Sequence, residues 1–278
     1  MSTRRSVDFR DVGVVSAADR GFTYGDGLFE TVRVVGGVAP LWPRHAARLT
    51  RGCAQLRMPA PGIDAIYAEI LRLSGGFPDA VVRVTLSRGV GERGYALPLR
   101  QAPTLVVAAA ELTLDPVAFR EGIAVRVCDL QLATQPALAG LKHLNRLEQV
   151  LARAEWTDPA IGEGLLCDMA GDVVCATAAN LFAVIDGELV TPPVDLCGVA
   201  GVARAEILAT RAVAVTRVGL ARLHQASEVF LTSAVRGILP VRALGAHTWQ
   251  PGPVAGALQA HWASLGLPLT TRAKDRDR

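Results

Sequence analysis

The sequence has little of several features that would assign a broad functional class at once. Aromatic residues make up only 5% of its 278 positions, and the net charge is +3 at pH 7. That small, dispersed charge comes with no nucleic-acid motif, which excludes a basic nucleic-acid-binding face. The longest apolar runs, such as residues 103–110, are far too short to span a bilayer. We therefore expect neither a nucleic-acid partner nor a membrane partner.

Cysteine is too sparse to indicate a disulfide framework. The number is odd, and no Cys-x-x-Cys spacing occurs among Cys53, Cys128, Cys167, Cys175 and Cys197. Reduced thiols in a cytoplasmic protein are the simplest account. The first six residues, Met-Ser-Thr-Arg-Arg-Ser, lead into a polar segment without the apolar core of a signal peptide. We therefore expect a cytoplasmic protein.

What the sequence does have is enough apolar material for a packed core. Half of the residues are hydrophobic and a fifth are charged, and this length suits one large domain or two ordinary ones. In the first third, hydrophobic periodicity predicts interleaved strands and helices. A Gly36-Gly37 turn follows the strand 28–35, and helices are predicted from Arg44 and over residues 63–73. Strands are predicted at 81–86 and 104–109.

The second part repeats this mixture of elements. The predicted strands and helices are 123–128, 164–168, a hairpin over 181–191, a helix over 202–212, strands at 229–232 and 241–243, and a helix over 253–265. The pattern predicts an α+β fold of two domains, with ligands bound between them. We divide the chain into an N-terminal domain 1–111, a linker 112–120, a C-terminal domain 121–270 and a disordered tail 271–278.

The segment Leu-Lys-His-Leu-Asn-Arg-Leu-Glu at residues 141–148 is the most informative stretch. Its leucines, continued by Leu151, recur at helical spacing after Pro136 and Gly140, which predicts a helix from about Leu141 to about residue 156. Lys142 then lies near the helix start, off the leucine stripe. A lysine is normally a solvated surface charge. A partly desolvated amine, however, loses its proton and becomes both nucleophile and base.

This octapeptide resembles the lysine segment of the fold-type IV pyridoxal-phosphate (PLP) enzymes, and most closely that of the 4-amino-4-deoxychorismate lyases. Residues 19–31 are similar to the N-terminal signature of the same family. The resemblance extends from about Ser16 to Val241. It implies a two-domain fold like that of D-amino acid aminotransferase, a homodimer, and PLP held on Lys142 as a Schiff base. It also implies that Phe29 lies in the active-site wall.

The resemblance implies that two parts of the chain bind the phosphate of PLP. Arg48 matches the family's phosphate-binding arginine, and its planar guanidinium can make two charge-assisted bonds. By spacing alone, Arg44, Arg48 and Arg51 could instead form one solvated stripe. The turn ending at Gly201 should direct the amides of Val202 and Ala203 at the phosphate from a helix N-terminus.

Two details imply a thin phosphate shell. The family commonly has a hydroxyl residue where Ala203 stands, so backbone amides must serve there. Ser233 matches the hydroxyl of the later loop, whereas Ala234 occupies a position that is often threonine in related transaminases. Weaker cofactor binding follows from the loss of these hydroxyls.

Cys175 is the main departure from the family. Counted back from Asn180, its position usually holds a glutamate that pairs with the pyridine nitrogen of PLP. A carboxylate keeps that nitrogen protonated and the ring a strong electron sink, which a thiol does less well. Either another group keeps the pyridine nitrogen protonated, or the reaction depends less on the ring as an electron sink.

The reaction implied is release of pyruvate from 4-amino-4-deoxychorismate to give 4-aminobenzoate. The glycine-rich residues 88–95 resemble that lyase's loop, and Arg93 matches a position that grips a substrate carboxylate in the D-amino acid transaminases, with Tyr95 beside it. The alternative for Arg93 is a surface loop arginine. Loss of the enolpyruvyl group gives the electrons an immediate exit, so Cys175 favours the lyase. A branched-chain or D-amino acid aminotransferase and a non-catalytic PLP-binding relative are the alternatives.

Overall fold

The computed structural model describes residues 3–11 and 13–269, so the predicted tail at 271–278 lies outside the described residues. Contacts divide the chain into two units. Among the described residues, the first takes the chain up to Thr113 together with Lys142–Asn145, and the second takes Leu114–Leu141 and residues 146–269. Our domain prediction assigned the whole lysine segment to the C-terminal domain, whereas the contacts group residues 142–145 with the first unit.

The first unit contains an antiparallel sheet with strand order β1-β4-β3-β2. Its elements are β1 (Arg4–Val7), α1 (Arg20–Tyr24), β2 (Gly27–Val35), α2 (Trp42–Gln55), α3 (Ile63–Ser74), β3 (Asp79–Ser87) and β4 (Thr104–Glu111). Alternate valines of the strands, among them Val32, Val84 and Val107, form one core with Leu49 of α2 and Ile70 of α3. Because successive strand residues point to opposite faces, the other face is left for polar and aromatic side chains.

Helix α2 follows the predicted pattern, with His45, Leu49 and Cys53 buried. It begins at Trp42, two residues before the predicted start, because proline is well accommodated in a first helical turn. The glycine turn at 36–37 returns the chain only to a single bridge between Val35 and Val38.

The second unit contains a sheet with strand order β10-β9-β8-β12-β13-β5-β6-β7-β11, with β14 on β13. Its elements are α4 (Pro116–Glu121), β5 (Ile123–Leu132), α5 (Leu147–Arg153), β6 (Ile161–Asp168), β7 (Asp172–Ala176), β8 (Asn180–Ile185), β9 (Glu188–Thr191), α6 (Val202–Thr210), β10 (Ala214–Val215), β11 (Val218–Gly219), α7 (Leu220–Leu223), β12 (Glu228–Ser233), β13 (Gly237–Leu244), β14 (His247–Thr248) and α8 (Pro253–Ser264). Pairing of Cys175 with Asn180 joins β7 to β8. The strands β8, β12, β13, β5, β6 and β7 therefore form a closed ring.

The predicted hairpin of β8 and β9 is present. Asp186 and Gly187 both have positive φ, 53° and 79°, as a two-residue turn that matches strand twist requires. Three short helices, α1, α4 and α7, were missed by the sequence prediction. Asp19 caps α1 by accepting from the Gly21 amide, and Asp115 caps α4 inside the predicted linker.

The helix predicted from about Leu141 to about residue 156 is present only over Leu147–Arg153, so its predicted start is wrong. Helix α5 begins at Leu147, and the leucine stripe is not a buried face, since Leu147 and Leu151 are 74% and 59% exposed. His143 instead forms a bridge with Leu28 at the edge of β2. Backbone pairing with a strand overrides the helical spacing, because propensity is a weak determinant beside tertiary contacts.

Candidate active site

Lys142 lies in an irregular stretch that pairs with the start of β2. The Phe29 amide donates to the Lys142 carbonyl at 2.9 Å, and the Leu144 amide donates to the Gly27 carbonyl at 3.0 Å. The half-buried Lys142 side chain extends over the Phe29 ring, with Nζ 4.3 Å from its centroid. The structure thus brings together two of the predicted site residues, and two backbone hydrogen bonds rather than a helix hold the lysine.

Two glycines of the N-terminal signature make this pairing possible. Gly25 has φ +65°, and a Cβ there would lie 2.5 Å from Oδ1 of Asn145. The Asn145 Nδ2 donates to the Gly25 carbonyl at 3.1 Å. A Cβ on Gly27 would lie 2.4 Å from the Leu86 carbonyl. Gly25 excludes a side chain because its φ is positive and the Asn145 side chain lies against it, whereas Gly27 does so because a neighbouring backbone approaches closely.

A buried charged cluster lies under this region, and the sequence analysis missed its acid, Glu30. The Arg48 guanidinium donates from Nε to Oε1 of Glu30 at 2.8 Å and from Nη2 to Oε2. His45 Nδ1 lies 2.6 Å from Oε2. Burial by itself raises the pKa of Glu30. The charge and hydrogen bonds of Arg48, together with those of His45, outweigh burial and lower this pKa to about 2. Glu30 is therefore ionised at neutral pH.

His45 is the neutral member of this cluster. Burial lowers its pKa, and the opposing effect of Glu30 is smaller. Because Glu30 is an ionised acceptor, Nδ1 carries the proton and Nε2 is left as an acceptor. That Nε2 is buried and meets no hydrogen-bond partner within residues 3–11 and 13–269.

The cluster decides between the two interpretations of Arg48. Arg51 is exposed, but Arg48 is 8% exposed and ion-paired, so a solvated arginine stripe is wrong for this residue. The carboxylate fixes the orientation of the guanidinium by accepting from its Nε and Nη2. Phosphate binding by Arg48 stays a prediction.

In the second unit, the start of α6 has the features of an anion site. Gly201 is its N-cap and supplies no side-chain cap. The first intrahelical backbone bond runs from the Ala205 amide to the Gly201 carbonyl at 2.9 Å. The first amides of a helix, here those of Val202 and Ala203, have no intrahelical acceptor and point along the positive end of the dipole.

The glycine loop before α6 is fixed from two sides. The Asn180 Nδ2 donates to the Val199 carbonyl at 2.9 Å. The Gly140 amide donates to the Gly198 carbonyl, and the Ala200 amide to the Gly140 carbonyl, both at 3.0 Å. The loop is therefore tied to the residues that immediately precede the lysine in the chain.

Ser233, the predicted phosphate hydroxyl, ends β12 and is half-buried. Its Oγ accepts from the Arg236 amide at 3.1 Å, which leaves the hydroxyl proton available to donate. Arg236 Nη2 donates to Oε2 of the buried Glu163 at 2.6 Å. The other carboxylate oxygen accepts from the Thr177 hydroxyl. The sequence analysis missed Glu163 and Arg236, which hold the Ser233 turn in place.

Cys175 lies in an apolar cluster with Cys197, Leu166 and Trp156. Burial, followed by the neighbouring Cys197, raises the pKa of its thiol to about 12. The residue is therefore a neutral thiol at physiological pH. Its predicted position at the pyridine nitrogen stays a prediction, and its surroundings are those of a small apolar side chain.

The glycine-rich loop after β3 is held by a buried ion network. Asp26 accepts from Nε of Arg20 at 2.9 Å and from Nε of Arg88 at 2.7 Å. Burial raises the pKa of Asp26, but the two guanidiniums lower it below its ordinary value. Arg20 also donates to the Gly94 carbonyl at 3.0 Å. Arg88, the first residue of the glycine-rich loop 88–95, thus stabilises the fold through its ion pair with Asp26.

The predicted substrate residues lie on the outside of that loop. Arg93 is exposed, and Tyr95 is 86% exposed. The Tyr95 ring lies 5.4 Å from that of Tyr24, whose hydroxyl accepts from the Gly94 amide. Substrate binding by Arg93 and Tyr95 stays a prediction.

A cavity of about 380 Å³ lies within the first unit, in the size range of small-molecule sites. Its lining is largely apolar with several hydroxyls: Val15, Ser16, Ala17, Asp19, Gly21, Phe22, Thr85, Ser87, Thr104, Val106 and Leu144. Over the described part of the chain, no cluster of three or more potential metal ligands occurs. None of the helices described is both long enough and apolar enough to cross a membrane.

These residues fit a phosphorylated aldehyde cofactor. Lys142 offers an amine beside an aromatic ring, and the uncapped start of α6 offers amide donors to a phosphate. A Cβ on Gly201 would lie 2.0 Å from Oδ1 of Asn180, so only glycine keeps this cradle open. Attachment of PLP to Lys142 and phosphate binding by Val202, Ala203 and Ser233 stay predictions.

Comparison with known proteins gives one consistent result. The profile of the amino-transferase class IV family matches residues 27–244. The crystal structure of 4-amino-4-deoxychorismate lyase from Pseudomonas aeruginosa is 42% identical and superposes with a TM-score of 0.89, covering 94% of this chain and 98% of that one.

Two curated relatives are also similar over most of the chain. Aminodeoxychorismate lyase of Vibrio harveyi is 32% identical over 238 residues, which cover 84% of this chain and 88% of that protein. A putative branched-chain-amino-acid aminotransferase of Methanocaldococcus jannaschii is 32% identical over 246 residues, covering 84% of each chain.

Proposed function

Because the chain belongs to the class IV aminotransferase family, we propose that it is a PLP-dependent lyase that converts 4-amino-4-deoxychorismate to 4-aminobenzoate and pyruvate. The observation that carries the proposal is the amine of Lys142 beside the Phe29 ring, in a chain that is 42% identical to a 4-amino-4-deoxychorismate lyase over nearly its full length. Lys142 is also one of only two lysines in the sequence, the other being Lys274.

In this reaction the chain's own residues bind the cofactor and move a proton. Bound PLP supplies an electron-withdrawing ring conjugated to the substrate amine. Lys142 Nζ accepts the proton from C4 of the substrate while the C3–O bond to the enolpyruvyl group breaks. Protonation of the departing enolpyruvate at its methylene carbon gives pyruvate, and the ring becomes aromatic. The Phe29 ring covers one side of the Lys142 amine.

The phosphate is bound by donors of different kinds. The amides of Val202 and Ala203 lie in the first turn of α6, which has no side-chain cap. The Ser233 hydroxyl accepts from the Arg236 amide, so its own proton is available to the phosphate. Arg48 contributes charge, with its orientation set by Glu30. Anion binding at a helix N-terminus needs no side chain, so the absence of a hydroxyl at Ala203 is tolerated.

The test is incubation of the purified protein with 4-amino-4-deoxychorismate. We expect 4-aminobenzoate and pyruvate to appear together in equal amounts. The alternative is an aminotransferase, which the Methanocaldococcus relative favours. It predicts instead transfer of an amino group to a 2-keto acid acceptor and no release of pyruvate from this substrate.

We also propose that the enzyme works in the cytoplasm as a homodimer. All five cysteines are buried free thiols, which suits a reducing compartment. Homodimers are common among soluble enzymes, since a twofold interface repeats one patch. Light scattering on the purified protein should give a mass near twice that of the chain, and a monomer would contradict the dimer.

Gly201→Ala tests the phosphate cradle. The new Cβ would collide with Oδ1 of Asn180 and displace the side chain that holds the Val199 carbonyl. We expect the Kd for PLP, measured by titration, to rise roughly tenfold, as for loss of one charge-assisted hydrogen bond. The matched control is Gly256→Ala in α8, where a Cβ meets nothing within 4 Å. Equal PLP affinity in both variants would contradict the cradle.

Cys175→Glu tests the electronic argument. A glutamate here would be buried in an apolar cluster, and burying a carboxylate without a partner is costly. We expect a lower thermal unfolding midpoint, lyase activity within a modest factor of the parent in the folded protein, and more transamination of amino acids. Cys175→Ala, which adds no charge, should retain the parent's ratio of the two activities. A folded Cys175→Glu protein with unchanged transamination would refute the electronic role.

A further inference from the structure

Within residues 3–11 and 13–269, five arginines are buried, and four of them are paired with carboxylates. The pairs are Arg20–Asp26, Arg33–Asp79, Arg48–Glu30 and Arg88–Asp26. The fifth buried arginine is Arg204, in α6. It is 8% exposed, as Arg48 is, yet it forms no ion pair with any residue in that part of the chain. Arg204 is therefore a buried cation without a counter-charge from the chain.

The hydrogen bonds of Arg204 are also incomplete. Among the residues that the structure describes, its single partner is the Pro192 carbonyl, which accepts from Nη2 at 3.1 Å. The Nε is buried and meets no acceptor there. Burial lowers the pKa of the guanidinium, and no neighbouring charge offsets that effect. Because an unpaired buried cation is costly to the fold, a balancing anion from outside the chain would stabilise it.

Arg204 lies in the first turn of α6, where the surroundings are already positive. Helical side chains lean toward the N-terminus, and the Arg204 Cβ lies 3.7 Å from where a Cβ on the N-cap Gly201 would be. The first turn contains no acidic residue. The amides of Val202 and Ala203 and the positive end of the helix dipole lie at the same helix start. Arg204 therefore adds to a positive potential that an anion bound at this place would balance.

We infer that the counter-charge of Arg204 is an anion bound at the start of α6, and that Arg204 makes this site prefer a phosphate dianion. The inference rests on the proposed function, in which that anion is the phosphate of PLP. Arg204 is a positioning residue that acts on the anion through its charge, whereas the backbone amides supply the hydrogen bonds. This charge offsets the hydroxyl that is missing at Ala203. Cofactor binding then also stabilises the fold, because it neutralises a buried cation.

Titration of the cofactor-free protein with PLP and with pyridoxal, which has no phosphate, tests this inference. Both aldehydes can react with Lys142, so the ratio of their Kd values measures the contribution of the phosphate. We expect Arg204→Met to raise the Kd for PLP by about tenfold or more, as for a lost interaction between charged groups. The Kd for pyridoxal should stay at the parent's value. Arg204→Lys, which keeps a positive charge, should lie between Arg204→Met and the parent for PLP.

Stability without the cofactor gives a second measurement. Because Arg204→Met removes an unpaired buried cation, the cofactor-free variant should have a thermal unfolding midpoint at least as high as the parent's. Inorganic phosphate, at matched ionic strength, should raise the midpoint of the parent more than that of the variant. An arginine that only holds the Pro192 carbonyl would behave differently. Its loss would lower the midpoint and leave the response to phosphate unchanged.

The control is Arg211→Met, which removes the same charge from an exposed position at the other end of α6. Because Arg211 is remote from the helix start, this variant should keep the parent's ratio of Kd values for PLP and pyridoxal. It should also keep the parent's response to inorganic phosphate.

Failure of the inference and failure of the proposed function are distinguishable. If the parent forms 4-aminobenzoate and pyruvate, but Arg204→Met keeps the parent's ratio of Kd values or does not fold, the inference about Arg204 is overturned and the proposed function stands. If the parent binds PLP without forming these products, the lyase proposal fails and the ratio of Kd values still decides on Arg204. A parent that binds no PLP would overturn both.

Discussion

Replacing Lys142 by alanine is expected to abolish the release of 4-aminobenzoate. A positioned proton-transfer group contributes about 10²–10⁴-fold to a rate, and Lys142 is in addition the covalent anchor of PLP, so the loss should reach at least that range. PLP should still bind through its phosphate, more weakly than in the parent, because the donors at the start of α6 do not depend on the lysine.

The near absence of lysine makes this prediction easy to control. The sequence contains only Lys142 and Lys274, so Lys274→Arg leaves Lys142 as the one lysine ε-amine. That variant should keep full activity and a cofactor absorbance band that borohydride bleaches. Peptide mass mapping of the reduced protein should find the cofactor mass on Lys142. A label on Lys274 in the parent, or on the N-terminal amine, would contradict the assignment.

Local signals in the sequence were sufficient for most of the fold. Strands rich in β-branched residues, the Asp186-Gly187 turn and helices bounded by glycine or proline were predicted close to their observed bounds. The pairing of β7 with β8, which closes a ring of strands, is a long-range property that no local pattern encodes. The lysine segment failed for the same reason, since its conformation is set by backbone bonds to β2.

The candidate site divides in a similar way. Lys142 was identified through family resemblance, because nothing in the surrounding leucine repeat indicates that a lysine there binds a cofactor. Glu30 was missed although a signal was available. Glu30 lies on the same face of β2 as the buried residues Leu28 and Val32. A carboxylate that faces the core requires a buried cation as its partner. Looking for that partner would have led to Arg48 and to its ion pair.

Glu30→Gln should cause the largest loss of stability among the substitutions considered. The glutamine is nearly the same size, but it leaves Arg48 as a buried cation without its counter-charge. Removing one partner of a buried ion pair costs about 3–5 kcal/mol. Urea unfolding at pH 7 should therefore show a much lower midpoint. The control is Glu121→Gln, which breaks the exposed pair with Arg120 and should change stability by about 1 kcal/mol or less.

The pH dependence of this effect has a definite sign. Because the pKa of Glu30 in the folded protein is about 2, below its ordinary value of 4.5, its contribution is fully present above about pH 4.5. It is lost as the pH falls toward 2, where the folded-state carboxylate takes up its proton. The gap between the parent and Glu30→Gln should therefore be constant from pH 5 to 7 and shrink on acidification. A stability difference that widens toward low pH, or a variant as stable as the parent at pH 7, would contradict the conclusion that Glu30 is ionised and stabilises the fold.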